Sequence, residues 1–275
     1  MGFNLDTQAT RSDLMSVDTT LAASIDATQD YIPVASITNF STSVVAEIET
    51  TNEVVSFTDI NENLLARSEE FSYWTWAKFT VTITADAGTA PDGTTTADKL
   101  IPNVGVNRGI VYTTQPIPLA SARNTFSVFA KSDGYDYINV ISQTSGAYSP
   151  GVQFNLSTGS VVTSDNATGT ITDEGDGWYR CSILPDAGAP AYASLVFQAN
   201  DGTAPNTGDY YRSTFTADGS SGVLIWGTQL EGGITLSPYI PTTTTALFRL
   251  TNVTRGVNGT TAATASSGDA IQQLP

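Results

Sequence analysis

The residues best suited to chemistry in this chain are aromatic rings beside a guanidinium, and the chemistry they suit is adhesion. In DYYRS, Tyr210 and Tyr211 immediately precede Arg212. GYDY supplies Tyr135 and Tyr137, GAYSP supplies Tyr148, and PAY supplies Tyr192. A tyrosine offers a flat apolar face and a hydroxyl at small entropic cost, which suits a sugar ring or a protein surface. The competing assignment is that many of these are strand-end tyrosines with buried rings. Among the four tryptophans, Trp74 is the one expected at the surface. Trp76, Trp178 and Trp226 lie in strand-like runs and are expected to pack inside. Strand alternation would put Trp74 on the same side as Trp76, two residues on.

Covalent and acid–base chemistry have little to work with. The chain contains no histidine, which removes Ser-His-Asp and Cys-His catalysis and every His-based metal site. Its one cysteine, Cys181, allows neither an intrachain disulfide nor a multi-cysteine zinc site, and its run GWYRCSIL predicts a buried thiol. Asp173, Glu174 and Asp176 cluster in TDEGDG, a turn where Asp is expected for backbone reasons. Glu69, Glu70 and Glu231 stand in no pattern that marks an acid–base pair. Phosphate-cradling glycine motifs are absent. An enzyme is not expected, and no cofactor is called for.

Charge narrows the partners. The chain carries a net −16. Residues 1–60 hold nine acids and one base, 61–245 hold seventeen and eight, and 246–275 hold one and two, giving −8, −9 and +1. Both large parts repel phosphate backbones and anionic bilayers, so neither nucleic acid nor membrane insertion is expected. No apolar run approaches the ~18–20 residues that span a bilayer. The opening MGFNLDTQATRSDL lacks a basic region followed by an apolar stretch, so no secretory signal is expected.

The elements that must position these residues are short strands. With 14% charged residues and abundant Thr, Ser, Ala, Val and Gly, the composition is that of an all-β protein. Residues 1–18 read as an arm that docks on a neighbouring subunit. From Thr20, strands of about six residues alternate with turn chemistry, and Pro33 marks an edge strand. Four strands by Ile60 are too few for a self-sufficient core, and the 29 residues from Leu247 are too few as well. The strand EVVSFTDI, Glu53–Ile60, has no natural partner in the residues directly after it. FRLTNVTR, Phe248–Arg255, supplies one about 190 residues later. Asn258-Gly259 beyond it predicts a type I′ hairpin. The expected organisation is a small split β-barrel or sandwich, 19–60 with 247–275, carrying 61–246 as an inserted domain. Hairpin tips tolerate such insertions because little packing crosses them. Within the insert, FSVFAKS, YINVIS, GVQFNLSTGSV, GWYRCSIL, ASLVFQA and VLIWGTQLE alternate and are separated by turn residues, the pattern of a β-sandwich.

Two resemblances add to this. LAASIDATQDYIPVASITNF, EVVSFTDI and LTNVTRGVNGTTAATASSGDAI resemble a small β module common in bacteriophage virion proteins, here interrupted after Ile60 and resumed at Leu250. Thr264 stands where that module often has histidine. NLLARSEEF with Trp76, APDGTTTADKL, FSVFAKS, GDGWYRC and IWGTQLEGG look like the carbohydrate-binding-module type of jelly roll found in phage particle proteins, over about residues 63–242. The resemblance implies a homo-oligomeric virion protein, a trimer for instance, touching the major capsid protein or another virion protein. It implies capsid decoration ahead of a tail-associated role in which the jelly roll engages host surface glycan. Jelly rolls of this type sometimes hold a structural Ca²⁺, but nothing here has ligand spacing that nominates one.

Overall fold

In a computed structural model of the chain, the described residues are 18–36, 44–114, 117–118, 123–143, 149–186, 192–267 and 269–273. Of the docking arm assigned to residues 1–18, residues 1–17 lie outside them, as does Tyr148. The described elements are β-strands and short 3₁₀ turns. They fall into two compact units, one formed by the residues up to Asn61 with those from Leu247 onward, the other by Glu62–Ala246.

The smaller unit is built from strands too short to stand alone. Asp18–Thr20, Ala270–Gln273, Val44–Ile48 and Glu53–Phe57 form one antiparallel sheet in that order. Leu247–Thr251 lies between Ile32–Val34 and Asp59–Asn63 in a second, so Pro33 occupies an edge strand, where its missing N–H costs no ladder bond. Ile32, Val34, Ile48, Val55, Phe57, Leu250 and Ile271 bury their side chains together. Ser56 and Thr254 exchange antiparallel backbone hydrogen bonds of 3.0 and 2.8 Å, and the Thr58 N–H donates to the Thr251 carbonyl at 3.3 Å. The contact between these distant segments is short, because the strand breaks at Thr58 and the sheet partner of Glu53–Phe57 is its neighbour Val44–Ile48.

Asn258 and Gly259 both adopt positive φ, and the Thr260 N–H returns to the Val257 carbonyl at 3.1 Å, as a type I′ turn requires. The turn does not join a paired hairpin, however. Thr260 Oγ1 instead accepts from the Val54 N–H at 3.0 Å, so this loop caps a strand 206 residues earlier.

Glu62–Ala246 is a jelly-roll β-sandwich. One sheet runs Ser160–Asp165, Gly151–Asn155, Tyr137–Gln143, Tyr192–Asn200, Ile110–Thr113, Trp76–Phe79. The other runs Ala167–Gly175, Trp178–Pro185, Asn124–Asp133, Gly222–Gly232, Ala97–Pro102, Val81–Gly88. Neighbouring strands are antiparallel, and the chain passes repeatedly from one sheet to the other. Alternation sends Val111, Ile138, Val140, Phe154 and Phe197 inward from the first, and Phe126, Val128, Cys181, Ile183 and Ile225 from the second, into one core. Cys181 is fully buried, and burial pushes its thiol up.

Trp76 belongs to that core, its ring 4.9 Å from Phe71 and its indole N–H on the Arg67 carbonyl at 3.1 Å. Trp178 and Trp226 are also buried, but in a separate cluster with Phe129, Leu224 and Tyr239 on the second sheet's opposite face. Trp74 departs from the alternation expected of it. It lies in a turn, so its ring points out at 70% exposure while Trp76 points in.

Candidate functional site

The outer face of the first sheet is polar where its strands are otherwise apolar. Asn139 on one strand and Gln198 and Asn200 on its neighbour are buried, as is Gln153 one strand further on. Their amides interlock: Asn139 Nδ2 donates to Gln198 Oε1 at 2.9 Å, Asn200 Nδ2 to Asn139 Oδ1 at 3.2 Å, and Gln153 Nε2 to Asn200 Oδ1 at 3.1 Å. The network also captures the connection beyond Asn200. Gln153 Nε2 donates to the Thr203 carbonyl at 3.0 Å, Gln198 Nε2 to the Ser213 carbonyl at 2.7 Å, and the Ser213 N–H to Gln198 Oε1 at 2.8 Å. A buried amide left unpaired is costly, so each of these bonds holds the 201–213 segment onto the sheet.

Between its two anchors this segment makes a tight excursion. Asn206 caps the single 3₁₀ turn Thr207–Asp209, accepting from the Gly208 N–H at 2.9 Å, and its carbonyl receives the Asp209 and Tyr211 N–H groups. Tyr210 and Tyr211 then adopt φ of 53° and 58° in succession. Left-handed backbone costs a residue with a β-carbon roughly 1–2 kcal/mol, so two consecutive tyrosines there must be held by their surroundings. The result is a division of labour. Tyr211 turns inward to 2% exposure against Ile110, Ile141 and Val196, while Tyr210 remains 37% exposed. Gly151 makes room for the inward ring, since a β-carbon there would stand 2.3 Å from it. Burial pushes the Tyr211 hydroxyl up to about 12.

Arg212 completes the surface. Its guanidinium lies 5.1 Å from the Tyr210 ring centroid, and Nη2 donates to the Gln143 side-chain oxygen. Burial, and then the like charge of Arg108, lower its proton affinity. Arg108 itself pairs with Asp209 at 2.5 Å. Tyr112 packs beside them against the same small apolar cluster.

The sequence-predicted contact residues therefore do not form one patch. Tyr210 and Arg212 meet at the surface, and Tyr211 is a support beneath them, not a contact residue. Tyr135 is half-buried, edge-on to Phe215 at 5.5 Å, and its hydroxyl accepts from the Asp218 N–H at 3.3 Å. Tyr137, also half-buried, packs its ring over Gly202. Tyr192 starts a strand, and its ring lies outside the described side chains. Trp74 stands apart, on an apolar cleft of about 150 Å³ that it lines with Leu64, Leu65, Thr75, Trp76 and Thr113. Its turn is fixed by the Ser72 N–H on Asp98 at 3.2 Å and by Lys78 Nζ on the Ser72 and Tyr73 carbonyls.

No carboxylate is marked in the sequence by an apolar surround that would raise it, and the fold corrects this. Burial raises Glu62, Glu69 and Glu231, and raises Asp98 to about 6. Each is nonetheless occupied: Glu62 by the Gly232 N–H, Glu69 by the Tyr239 hydroxyl, Glu231 by the Ser237 N–H, and Asp98 by the Ser72 and Asp86 N–H groups. They fasten backbone and ring. Among the described residues, no group of three or more acidic or cysteine side chains is placed to hold a metal ion.

No protein-family profile matches the chain, and no curated protein matches it. Solved structures with a detectable likeness include the carbohydrate-binding module TmCBM61 in complex with β-1,4-galactotriose. It is 9% identical at a TM-score of 0.36, with 61% of this chain and 97% of that one covered. The CBM22-1–GH10 modules of Clostridium thermocellum xylanase 10B with xylohexaose are 11% identical at 0.35, over 67% of this chain and 30% of that one. The enzymatically active domain of bacteriophage CBA120 tailspike protein 4 is 14% identical at 0.34, over 62% and 21%.

Proposed function

We propose that this chain is a non-enzymatic bacteriophage virion protein whose sandwich binds host surface glycan while the smaller β unit attaches it to the particle. The observation that carries the glycan reading is the Tyr210–Tyr211 pair. Backbone strain persists where the surrounding structure over-determines it, and here it is spent on presenting one ring and one guanidinium on a rigid, amide-locked face. A flat ring beside a planar donor suits a pyranose, whose faces are apolar and whose edges carry hydroxyls. The raised carboxylates are all engaged in holding backbone or a tyrosine hydroxyl, which favours binding over hydrolysis. A glycan array probed with the intact chain tests this: signal is expected, and it is expected to disappear in Tyr210→Ala. An array with no signal would refute it.

The virion placement rests on the motifs of the smaller unit, IPVAS, EVVSFT and VTRGVNGTTAA. These support a second reading, a capsid decoration protein touching the major capsid protein as an oligomer. Exposed apolar positions at Val104 and Val106 favour self-association. Imaging of particles by electron cryomicroscopy separates the two readings: copies spread over the capsid lattice support decoration, and copies confined to the tail support host engagement. Among the described residues no helix is long and apolar enough to cross a membrane.

A further inference from the structure

The charge around Tyr210 runs against the charge of the molecule. Glu62–Ala246 carries far more acids than bases, yet two of its arginines meet at Asp209, Arg108 through an ion pair with its carboxylate and Arg212 through a backbone N–H on its carbonyl at 3.2 Å. Asp209 balances one charge and is already committed to Arg108. Arg212 spends one N–H on a neutral amide, that of Gln143, and its Nε is buried without a partner among the described residues. The site thus holds a half-buried guanidinium with unspent donors, fixed in orientation and flanked by an exposed ring.

We propose that this cluster is a carboxylate-recognising subsite, and that the glycan bound is acidic, its pyranose lying on Tyr210 and its carboxylate facing the Arg212 guanidinium. This rests on the glycan reading above and specifies it. A guanidinium matches a carboxylate in shape and charge, and such charge-assisted bonds are roughly twice as strong as neutral ones. A neutral sugar would leave the half-buried charge of Arg212 with only the Asp209 carboxylate it shares with Arg108, whereas a bound carboxylate would supply a counter-ion of its own. The surrounding negative field repels polyanions over long distances, so recognition is confined to this one face and is expected to depend on salt.

Calorimetric titration of the intact chain with paired probes tests the inference. One pair is hexagalacturonate and its methyl ester; the other is 3′-sialyllactose and lactose. The acidic member of at least one pair is expected to bind about tenfold more tightly than its neutral counterpart. Arg212→Gln is expected to abolish that difference, lowering the acidic member's affinity more than the neutral one's. Arg108→Gln, at a more exposed position, is expected to reduce the difference and guards against a folding defect in the first variant. Equal binding of acidic and neutral members overturns the inference and leaves the glycan reading standing, as does an acid preference that survives Arg212→Gln. No binding by any probe overturns both.

Discussion

Arg255 closes on Glu53 through both carboxylate oxygens, Nε to Oε1 at 2.6 Å and Nη2 to Oε2 at 2.7 Å, across 202 residues of sequence. Glu53 is fully buried and also accepts from the Gly256 and Ala263 N–H groups, while Arg255 donates onward to the Asp26 and Ala263 carbonyls. One ion pair therefore ties together the piece of chain before the insertion and the piece after it. Arg255→Met would strand the buried carboxylate, and breaking such a pair costs about 3–5 kcal/mol. Because all four tryptophans lie in the sandwich, the loss has to be read elsewhere. Hydrogen exchange of the Val54–Phe57 amides is expected to accelerate at least a hundredfold, with the sandwich amides unchanged. Equal protection in variant and parent would refute this account of the small core.

The two units are expected to respond to acid in opposite senses. For Glu53, burial alone would raise the carboxyl, but Arg255 and the two N–H donors outweigh it and hold it below its ordinary 4.5. Its contribution is present above 4.5 and is lost as pH falls through the lowered value. For Asp98, burial dominates and raises the carboxyl from 3.8 to about 6. The folded sandwich then binds a proton more tightly than its unfolded chain, so this contribution is complete below 3.8 and is lost as pH rises through about 6. Glu62, Glu69 and Glu231, raised by burial in the same unit, act in the same direction. Urea unfolding with segment-resolved pulse labelling between pH 7 and about 3.5 should show the sandwich gaining as pH falls through about 6 and the small unit weakening only below 4.5. Parallel changes in both would contradict the assignment.

At the candidate site, stability and binding should separate. Tyr210→Gly relieves left-handed strain that Tyr210→Ala retains, so the glycine variant is expected to be more stable than the alanine variant by about 1 kcal/mol. Neither retains the exposed ring, and both are expected to lose glycan affinity. Tyr211→Ala differs in kind. It empties a buried position against Ile110, Ile141 and Val196 and should cost about 3 kcal/mol or more in urea unfolding. If Tyr211→Ala left stability intact, the inward placement of that ring would be wrong.

How much of this could be read from residues alone depends on whether the signal was periodic. Six apolar runs of the sandwich, those at Phe126–Ala130 and Tyr137–Ile141 among them, were legible without a structure, but the main ladder of each of its two sheets holds six strands, and polar strands such as Ala167–Gly175 gave no such signal. The burial of Trp178 was equally legible, but not that it packs on the far side of its sheet, since alternation shows a face and not which sheet covers it. Trp74 was legible as the surface candidate, but period-2 reasoning carried into a turn put it on the same side as the buried Trp76. The amide network had a visible trace, Asn139 and Gln198 interrupting apolar runs, yet its partners arrive from Thr203 and Ser213 along a connection with no periodicity. Arg108 gave no signal at all. The raised carboxylates were missed for a related reason, because burial is a property of three dimensions. Asp98 sits in ADKLIP like any strand-edge acid.

The two tryptophans at positions 74 and 76 make a sharp contrast despite their closeness in sequence. Trp76→Ala opens the core beside Phe71 and Phe197 and frees the Arg67 carbonyl, for an expected loss of about 3–5 kcal/mol. Trp74→Ala removes an exposed ring and should stay within about 0.5 kcal/mol of the parent. Paired urea titrations decide this. A large loss in Trp74→Ala would mean that the apolar cleft beneath it is an extension of the core.

Finally, the outer-face amides predict where rigidity comes from. Asn139→Ala removes a donor to Gln198 and Ser213 and an acceptor from Asn200, leaving three buried groups short of a partner at about 1–3 kcal/mol for each that cannot find another. Since two of those groups hold the 201–213 connection, the expected signature is local. Amides of Tyr211 and Ser213 should exchange faster while those of Val140 and Phe197, facing the core, keep their protection. Glycan affinity should fall with them although Asn139 cannot reach a ligand, because a ring displayed from a loosened loop must be ordered again on binding. If affinity held while the loop amides lost protection, Tyr210 would not need its platform, and the strained turn would lose its functional reading.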